Sequence, residues 1–399
     1  MANPHGGENL ALLSLYPATP AQVIASRERS FVEWHQGRSL EECLKRDEIL
    51  DDFENSANGK LTTWVLAPRD TPDTLDFRCS CETFRRVAMI SRPTDHSSTR
   101  KVEEVVSYAI ASVFTSAEKR GRGYASHMMK LLHWVLAPRH ALPKVFPTAW
   151  GSPPTVPDGF GNGQFSVLYS DVGPHFYFRC GPDGRKTGWR VTGPIHTIWD
   201  VAATRGALQS PGADNLSWLW LSKEQCITLW ASDLAIMQRD LQSIHSHGTM
   251  AFSFKPNDGT SIWNIYKTMC FTQELEPYLP CETWGVLLTG GTSPSKVEPP
   301  TFATWIYDFR ATPRALIVTR IRVTRSRFKA LFAKIVEVAL QQQVERIEMW
   351  DLNPELVDGA LCPVPETGGR TLPRQGHLPS VKWYGEIDET KLAWKYNER

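Results

Sequence analysis

A short glycine-rich turn between a strand and a helix constrains this chain more than any other feature. The apolar, β-branched run over residues 105–115 predicts a strand. Two glycines and two arginines follow at 120–123, and helical spacing then begins at Tyr124. The apolar positions of that helix are Tyr124, Met128, Leu131, Leu132 and Val135. The sequence therefore predicts a strand and an amphipathic helix joined through a basic glycine turn.

The turn has the chemistry of a phosphate site. Backbone N–H groups in such a turn, and at the N-terminus of the helix after it, converge on an anion. Gly121 and Gly123 lack the Cβ atoms that keep a phosphate off the backbone. Positive charge comes from Lys119, Arg120 and Arg122. A P-loop or a G-x-G-x-x-G motif is absent, so we predict a site for the pyrophosphate of a nucleotide-like cofactor. The alternative is a basic turn in which glycine serves only the shape.

The composition excludes several classes of partner. Lys and Arg number 44 against 43 Asp and Glu, a net charge of +1 over 399 residues, which argues against nucleic-acid binding. No apolar run reaches the ~18 residues of a membrane span, and the first residues lack the basic region of a secretory signal. The eight cysteines form no C-x-x-C pair. We therefore expect a cytoplasmic protein with reduced thiols and no metal, nucleic-acid or membrane partner.

The order of predicted elements divides the chain in two. Capping boxes predict helix starts after Thr19, Ser39 and Ser222. Through about residue 195 the order is strand, two helices, three strands, helix, strand, short helix, strand. The strand–helix–strand pattern of 105–169 recurs at 315–352 without a glycine turn. The domains follow from the weak pattern near 201–220, and we predict them as 1–200, a linker at 201–220, and 221–399.

Two motifs and this order resemble the GNAT superfamily of acetyl-CoA-dependent N-acetyltransferases. Residues 120–125 fit Arg/Gln-x-x-Gly-x-Gly/Ala, and residues 176–181 resemble the Phe-Tyr-x-x-x-Gly segment of the family's last helix. The resemblance covers residues 10–195. Further stretches are similar to the fungal lysine N6-acetyltransferase group, namely Cys81–Arg86, "IASVFTSAEKRGRGYASHMM", "LYSDVGPHFY" and "HLPSVKWYG".

The resemblance implies a fold. It is α+β, with a mixed, mostly antiparallel central sheet and flanking helices. A C-terminal α/β domain follows it and is expected to be a degenerate GNAT-like half that binds the acceptor or braces the first domain.

The resemblance also implies roles for residues. The end of the strand would hold the pantetheine arm and the thioester carbonyl of acetyl-CoA through Val113, Phe114 and Thr115. The pyrophosphate would lie on Arg120, Gly121, Arg122, Gly123, Tyr124 and Ala125. Tyr177 falls where the family has the general acid that protonates the thiolate of coenzyme A, and Phe178 replaces the polar residue often found after it.

The general base is less determined by the sequence. The family position for a glutamate lies near Tyr108–Ile110, where this chain has no carboxylate. Glu82 on the neighbouring strand is our candidate for holding or deprotonating the ammonium, with a solvated glutamate as the alternative. Asp171 is a second candidate or a turn residue, and His127 is expected on the polar surface. The candidates for binding the acceptor are His377, Trp383 and Tyr384.

The predicted reaction is transfer of an acetyl group to a small-molecule amine, the ε-amine of free L-lysine. A lysine amine has a reference pKa near ~10.4, so about one molecule in ~10³ is free base at neutral pH and the rate should rise with pH. One alternative acceptor is an amine or hydroxyl of a specialised fungal metabolite, and another is a protein lysine. A non-catalytic acyl-CoA-binding protein is the third interpretation.

Overall fold

The computed structural model describes residues 8–35, 37–93, 100–208, 216–244, 248–272, 281–290, 299–309, 311–353, 356 and 369–396. The elements before residue 195 are β1 (Leu13–Pro17), α1 (Pro20–Trp34), α2 (Leu40–Asp51), β2 (Leu61–Pro68), β3 (Cys79–Ser91), β4 (Val102–Phe114), α3 (Tyr124–Leu136), β5 (Phe165–Ser170) and β6 (Arg190–Val191). Those that follow are β7 (Ile195–Asp200), α4 (Val201–Leu208), β8 (Ser217–Leu221), α5 (Lys223–Gln242), β9 (Met250–Phe254), α6 (Thr260–Thr272), β10 (Gly285–Gly290), β11 (Phe302–Asp308), β12 (Ala315–Arg322), α7 (Arg325–Gln341), β13 (Arg346–Trp350), β14 (Arg370–Pro373), β15 (Leu378–Trp383) and β16 (Leu392–Trp394).

The three predicted capping boxes are confirmed. In α1, α2 and α5 the cap hydroxyl accepts a hydrogen bond from the third helical amide, and the side chain of that third residue accepts one from the cap amide. The caps are Thr19, Ser39 and Ser222. Each helix therefore begins where its local sequence satisfies the free N–H groups of the first turn.

The first sheet has the strand order β1-β2-β3-β4-β5-β15-β6, and β9 pairs with the far end of β3 while β16 pairs with β9. Its pairs are antiparallel except β4 with β5 and β9 with β16. Helix α3 connects the parallel strands β4 and β5, and its apolar face packs on the sheet. The predicted mixed, mostly antiparallel sheet with flanking helices is confirmed.

The second sheet repeats this plan. Its order is β14-β7-β13-β12-β11-β10-β8, and β12 with β13 is its parallel pair. Helix α7 connects those two strands, as α3 connects β4 and β5. Its buried side chains face the second core, which gathers Phe328, Leu331, Phe332 and Ile335 with Trp199, Trp284 and Trp305. The predicted GNAT-like second half is therefore present as a fold.

The two sheets exchange strands. β7 precedes residue 201 but lies in the second sheet, whereas β9, β15 and β16 follow residue 220 and lie in the first. The segment 201–220 contains α4 and most of β8. The domain division at 201–220 stays a prediction, and the hydrogen-bonded sheets do not follow it strictly.

Few observations bear on the remaining composition-based expectations. Within the described ranges, no helix combines the length and apolar character needed to cross a bilayer. The same residues bring no three His, Cys, Asp or Glu side chains together as metal ligands. The cysteines that the structure describes are free thiols, while Cys362 lies outside the described residues.

Candidate functional site

An opening between β4 and β5 is the centre of the site. The two parallel strands pair from Ser107 with Phe165 to Ile110 with Leu168, and the pairing ends there. Both strands continue, β4 to Phe114 and β5 to Ser170. Past this point the backbone of β4 is therefore no longer bonded to β5, and the gap leads through the sheet from one face to the other.

A β-bulge lies on β4 at this opening. Glu82 of β3 is opposite Ala111 and Ser80 is opposite Phe114, so two β4 residues face the single residue between them. The first of these, Ser112, has φ 54°, a left-handed conformation that is uncommon outside glycine. A bulge re-aims the backbone groups that follow it. The predicted acyl-donor segment 113–115 begins at Val113, the second residue of this bulge.

The glycine turn joins β4 to α3 in the conformation that the sequence predicts. Gly121 has φ 78° and Gly123 has φ 83°, both values that favour glycine over all other residues. Gly123 is the N-cap of α3, and no described side chain caps that end. A Cβ at Gly121 would meet no protein atom within 4 Å. Among described residues, no turn or cap hydrogen bond uses the N–H groups of 121–125, so this turn fits the pyrophosphate of coenzyme A.

The basic side chains of the turn are arranged differently from the prediction. Lys119 Nζ lies 2.5 Å from Asp76 Oδ1, and Arg120 Nη2 lies 2.5 Å from Glu33 Oε1. Arg120 Nε also donates to the carbonyl of Thr115 at 3.0 Å. Both cations are therefore compensated and fix the shape of the turn. Arg122 is exposed, and it and the backbone amides remain the predicted ligands of the anion.

Tyr177 lies on the α3 side of the sheet. The predicted short helix is only a single 3-10 turn, Tyr177–Arg179, which packs against α3 and beside Trp189. Burial raises the pKa of the Tyr177 phenol above its ordinary value, and the nearby Cys79 thiol adds to this rise. The phenol therefore stays protonated through the neutral range, as a proton donor must.

Glu82 lies on the other face of the same sheet. Side chains alternate along β3, so Glu82 points away from the face of Cys79 and Cys81 that packs against α3. Glu82 Oε2 accepts a hydrogen bond from Ser112 Oγ at 2.6 Å. Burial raises the pKa of Glu82, and the Ser112 hydrogen bond with the charge of Arg27 offsets part of that rise. A carboxylate and a phenol thus stand on opposite faces of one opening.

His377 and Asp171 come together at the edge of the opening. The backbone N–H of His377 donates to Asp171 Oδ1 at 2.7 Å, and His377 Nδ1 lies 3.2 Å from the same oxygen. The side chain of His377 is 51% exposed. Leu378 of β15 pairs with Ser170 of β5. Asp171 therefore lies just after the end of β5, and His377 lies beside it, just before the start of β15.

Two other predicted acceptor ligands are not in the site. Trp383 and Tyr384 are each 2% exposed and lie at the far end of β15 from His377. Trp383 stacks on Phe165 at 5.6 Å, and the Tyr384 hydroxyl bonds His133 Nδ1 at 3.0 Å. This part of the prediction is wrong because both side chains are core residues without surface for a ligand.

His127 also differs from expectation. It was predicted on the polar surface of α3, but it is 2% exposed and faces Trp150. Burial, with a smaller effect of the Lys130 charge, lowers the pKa of His127 to about 4. It is a neutral histidine in the core.

No local sequence signal predicts the second-half residues that reach the site. Trp350, at the end of β13, stacks on His377 with 6.5 Å between ring centroids. The guanidinium of Arg374 lies 3.3 Å from the centre of the same indole, and Tyr169 of β5 lies 5.9 Å from it. These contacts join the ends of β5 and β13, which no local pattern in the chain reveals.

Comparison with known proteins agrees with this fold. Residues 205–399 match the family of the LYC1 GNAT-like C-terminal domain. A GCN5-related N-acetyltransferase of Anabaena variabilis is similar in structure at 12% identity, with a TM-score of 0.51 over 94% of this chain and 73% of that one. A probable N-acyltransferase of Enterococcus faecalis has a TM-score of 0.52 at 11% identity, over 93% of this chain and 73% of that one.

A curated relative adds a sequence match. A lysine acetyltransferase of Yarrowia lipolytica is 30% identical over 112 residues, which is 28% of this chain and 26% of that protein. The match thus spans about a quarter of the relative's length. The fold is that of the GNAT N-acetyltransferases. The second half, residues 205–399, matches the LYC1 type of GNAT-like domain.

Proposed function

We propose that this protein is an acetyl-CoA-dependent N-acetyltransferase whose acceptor is the ε-amine of free L-lysine. The observation that carries the proposal is the opening between β4 and β5, with the uncapped glycine turn at its end and an ionisable group on each face. The Yarrowia relative, described as a lysine acetyltransferase, supports the choice of acceptor.

Binding of acetyl-CoA uses the backbone in this proposal. The amides of 121–125 hold the pyrophosphate, and the last residues of β4 hold the pantetheine arm, with Val113, Phe114 and Thr115 along it. Acetyl-CoA supplies an activated thioester. In this proposal, the N–H groups that the bulge at Ser112 re-aims stabilise negative charge on the carbonyl oxygen.

The acceptor approaches from the face of Glu82. A lysine ε-amine is almost wholly ammonium at neutral pH, since its reference pKa is near ~10.4. The Glu82 carboxylate, with Asp47 and Asp51 nearby, provides the negative charge that holds this cation beside the opening. The attacking nitrogen must first lose a proton, and the departing thiolate takes one from Tyr177 on the opposite face.

The test is release of coenzyme A by the purified full chain with acetyl-CoA and one acceptor at a time. The acceptors are L-lysine, L-ornithine and a lysine-containing peptide, each at pH 7 and pH 9. We expect release with L-lysine, faster at pH 9. Release with the peptide alone would replace the free amino acid by a protein acceptor. No release with any acceptor, while acetyl-CoA still binds, would contradict an amine acetyltransferase.

A further inference from the structure

A histidine–aspartate pair stands level with the acyl-donor segment of β4. Ile110 and Leu168 are the last paired residues of β4 and β5. Across the bulge, Phe114 pairs with Ser80, three β3 residues from Thr83, the partner of Ile110, and Asp171 lies three residues beyond Leu168. At about 3.3 Å per residue both lie roughly 10 Å beyond the last pair, on either side of the opening. His377 is bonded to Asp171 and therefore stands at the same height.

The pair lies on the acceptor face of the sheet. Along β5, Ser166 and Leu168 face α3, whereas Phe165, Val167 and Tyr169 face the other way. His377 stacks on Trp350, which also contacts Tyr169 on this second face. The imidazole is thus on the side of Glu82 and opposite Tyr177.

The imidazole is held in one orientation. Nδ1 lies 3.2 Å from Asp171 Oδ1, Trp350 packs along the ring, and Arg374 donates to the His377 carbonyl oxygen. Trp350 is itself fixed, because its Nε1 donates to Glu348 Oε1 at 2.6 Å. A proton on Nδ1 facing the carboxylate leaves the lone pair on Nε2.

Two further facts single this histidine out. Its Nε2 makes no hydrogen bond to any described residue, and about half of the side chain is exposed. Its backbone has φ 48°, a left-handed conformation that costs free energy in a residue with a Cβ. Such conformations persist where the surrounding contacts enforce them, and they concentrate at functional sites.

We propose that His377, oriented by Asp171, is the base that takes the proton from the incoming ammonium. This deepens the proposed function and rests on it. The ammonium N–H proton passes to His377 Nε2, and the freed nitrogen lone pair forms the bond to the thioester carbon. The carbon–sulfur bond then breaks, and the thiolate takes the proton of the Tyr177 hydroxyl. The nitrogen loses its second proton to solvent as the neutral amide forms. The imidazolium and the tyrosinate return to their starting states by proton exchange with solvent.

The charged groups around His377 suit this role. Asp171 on the β5 side stabilises the imidazolium after proton transfer. Arg374 on its own turn contacts the backbone carbonyl and the Trp350 face. Asp351 follows Trp350 on the β13 side. Glu82 keeps a separate task in this scheme, which is to bind the ammonium as a negative charge.

The experiment compares pH–rate profiles of the full chain with His377→Asn. Asparagine tolerates the left-handed backbone, so the fold should be kept. We expect kcat at pH 7 to fall about 10²–10³-fold with little change in the Kd of acetyl-CoA. The loss should shrink toward pH 10, because the acceptor then deprotonates by itself. The matched control is His140→Asn, an exposed histidine beyond the C-terminus of α3, which should leave the profile unchanged.

Two more variants separate a chemical role from a structural one. His377→Gly suits the same backbone and leaves room for added imidazole, which should restore a large part of kcat at pH 7. Asp171→Asn should lower kcat less than His377→Asn and shift the lower limb of the profile. An unchanged profile in His377→Asn, or an equal loss at pH 7 and pH 10 without imidazole rescue, would overturn the assignment. Failure of the wild-type chain to acetylate any amine would instead reject the proposed function.

Discussion

Each of the two GNAT-like halves has an opening between its two parallel strands, but the residues around the two openings differ. In the first half the parallel ladder ends at Ile110, and a bulge follows at Ser112. In the second it ends at Val318, and a bulge follows on β12 before Arg320. The divergence of the two central strands is therefore a property of the fold itself. A candidate site requires additional features, and among the residues that the structure describes only those of the first half provide them.

The first difference is the connection to the helix. Residues 115–123 join β4 to α3 through two glycines with positive φ. Only residues 323–324 join β12 to α7, whose N-cap is Thr324. This short connection has no room for a turn of converging amides, and no positive φ occurs there. The second half thus has the helix that follows the central strand but lacks the glycine turn before it.

The second difference is the use of charge beside the bulge. In the first half, Glu82 is partly accessible and bonded to the hydroxyl of Ser112. In the second half the Asp233 carboxylate, fully buried, lies 2.5 Å from both Arg320 and Arg322. An ion network in which both carboxylate oxygens are bonded to arginines stabilises packing and leaves that carboxylate unavailable to a ligand. The charge beside the bulge is a candidate site group on β3 in the first half, and part of a structural ion network with α5 in the second.

The largest expected effect is on the glycine turn. Gly123→Glu would place a carboxylate about 4 Å from the pyrophosphate, a repulsion of about 4 kcal/mol at an effective dielectric of 20, or about 10³-fold in the Kd of acetyl-CoA. Gly123→Ala imposes the same backbone strain without charge, and a Cβ there meets only Leu10 at 3.6 Å. Ser326→Glu in the second half should not change this Kd, as measured by calorimetry. Equal losses in Glu and Ala variants would remove the electrostatic argument.

Next comes the buried ion network of the second half. Asp233→Asn leaves two arginines without their carboxylate, and we expect a loss of about 3–5 kcal/mol in the free energy of unfolding. Denaturant titration measures it, with Glu337→Gln, a partly exposed glutamate on α7, as the control. The Kd of acetyl-CoA for the folded variant should stay unchanged. A stable variant that binds acetyl-CoA poorly would assign this network to the site instead.

A smaller effect is expected at Tyr177. Tyr177→Phe removes the proton donor and should lower kcat about 10²-fold, with the Kd of acetyl-CoA nearly constant. Tyr266→Phe on α6, a tyrosine whose ring stacks on Phe53, is the matched control and should keep its rate. Steady-state kinetics with saturating acetyl-CoA measures kcat for both variants. A wild-type rate for Tyr177→Phe would mean that another group protonates the thiolate.

The smallest effect is expected at Glu82. Glu82→Gln should raise KM for the amine about tenfold, because the ammonium loses a negative neighbour. Burial raises the pKa of Glu82 in the folded chain, so the native state binds the proton more tightly than the unfolded state does. The charged form of Glu82 therefore lowers the free energy of unfolding as the pH rises from the ordinary pKa of a glutamate through its raised pKa in the folded chain. Compared with the wild type, Glu82→Gln should therefore raise the Tm more at pH 7 than at pH 4. Glu104→Gln, on the exposed side of β4, should not show this difference.

The sequence predicted what is local. Capping boxes located α1, α2 and α5, and apolar spacing located α3 and α7, because these patterns act within a few residues. The glycine turn was likewise readable from its residues. The placement of β7 and β15 was not, since partners in a sheet are chosen by long-range packing. Trp383 and Tyr384 were misassigned for the same reason, because a strand's aromatic residues look alike whether they face a ligand or a core.

The prediction at the site was therefore uneven. Residues 120–125 and Tyr177 lie where a motif could place them, and their roles stay predictions. The ion pairs of Lys119 and Arg120 depend on Asp76 and Glu33, which are far away in the chain. Trp350 reaches His377 only because β5 and β13 end side by side. Such contacts require the assembled fold.

The exchange of strands between the sheets constrains when each sheet can fold during translation. β15 lies between β5 and β6 in the first sheet, so the edge of β5 stays uncovered until residues 378–383 have been synthesised. In the same way, β7 cannot pair with β13 until residues 346–350 have been synthesised. Neither sheet is an independent folding unit during translation, and both should melt in one cooperative transition. A protease cut between the halves would leave two fragments still held together by backbone hydrogen bonds.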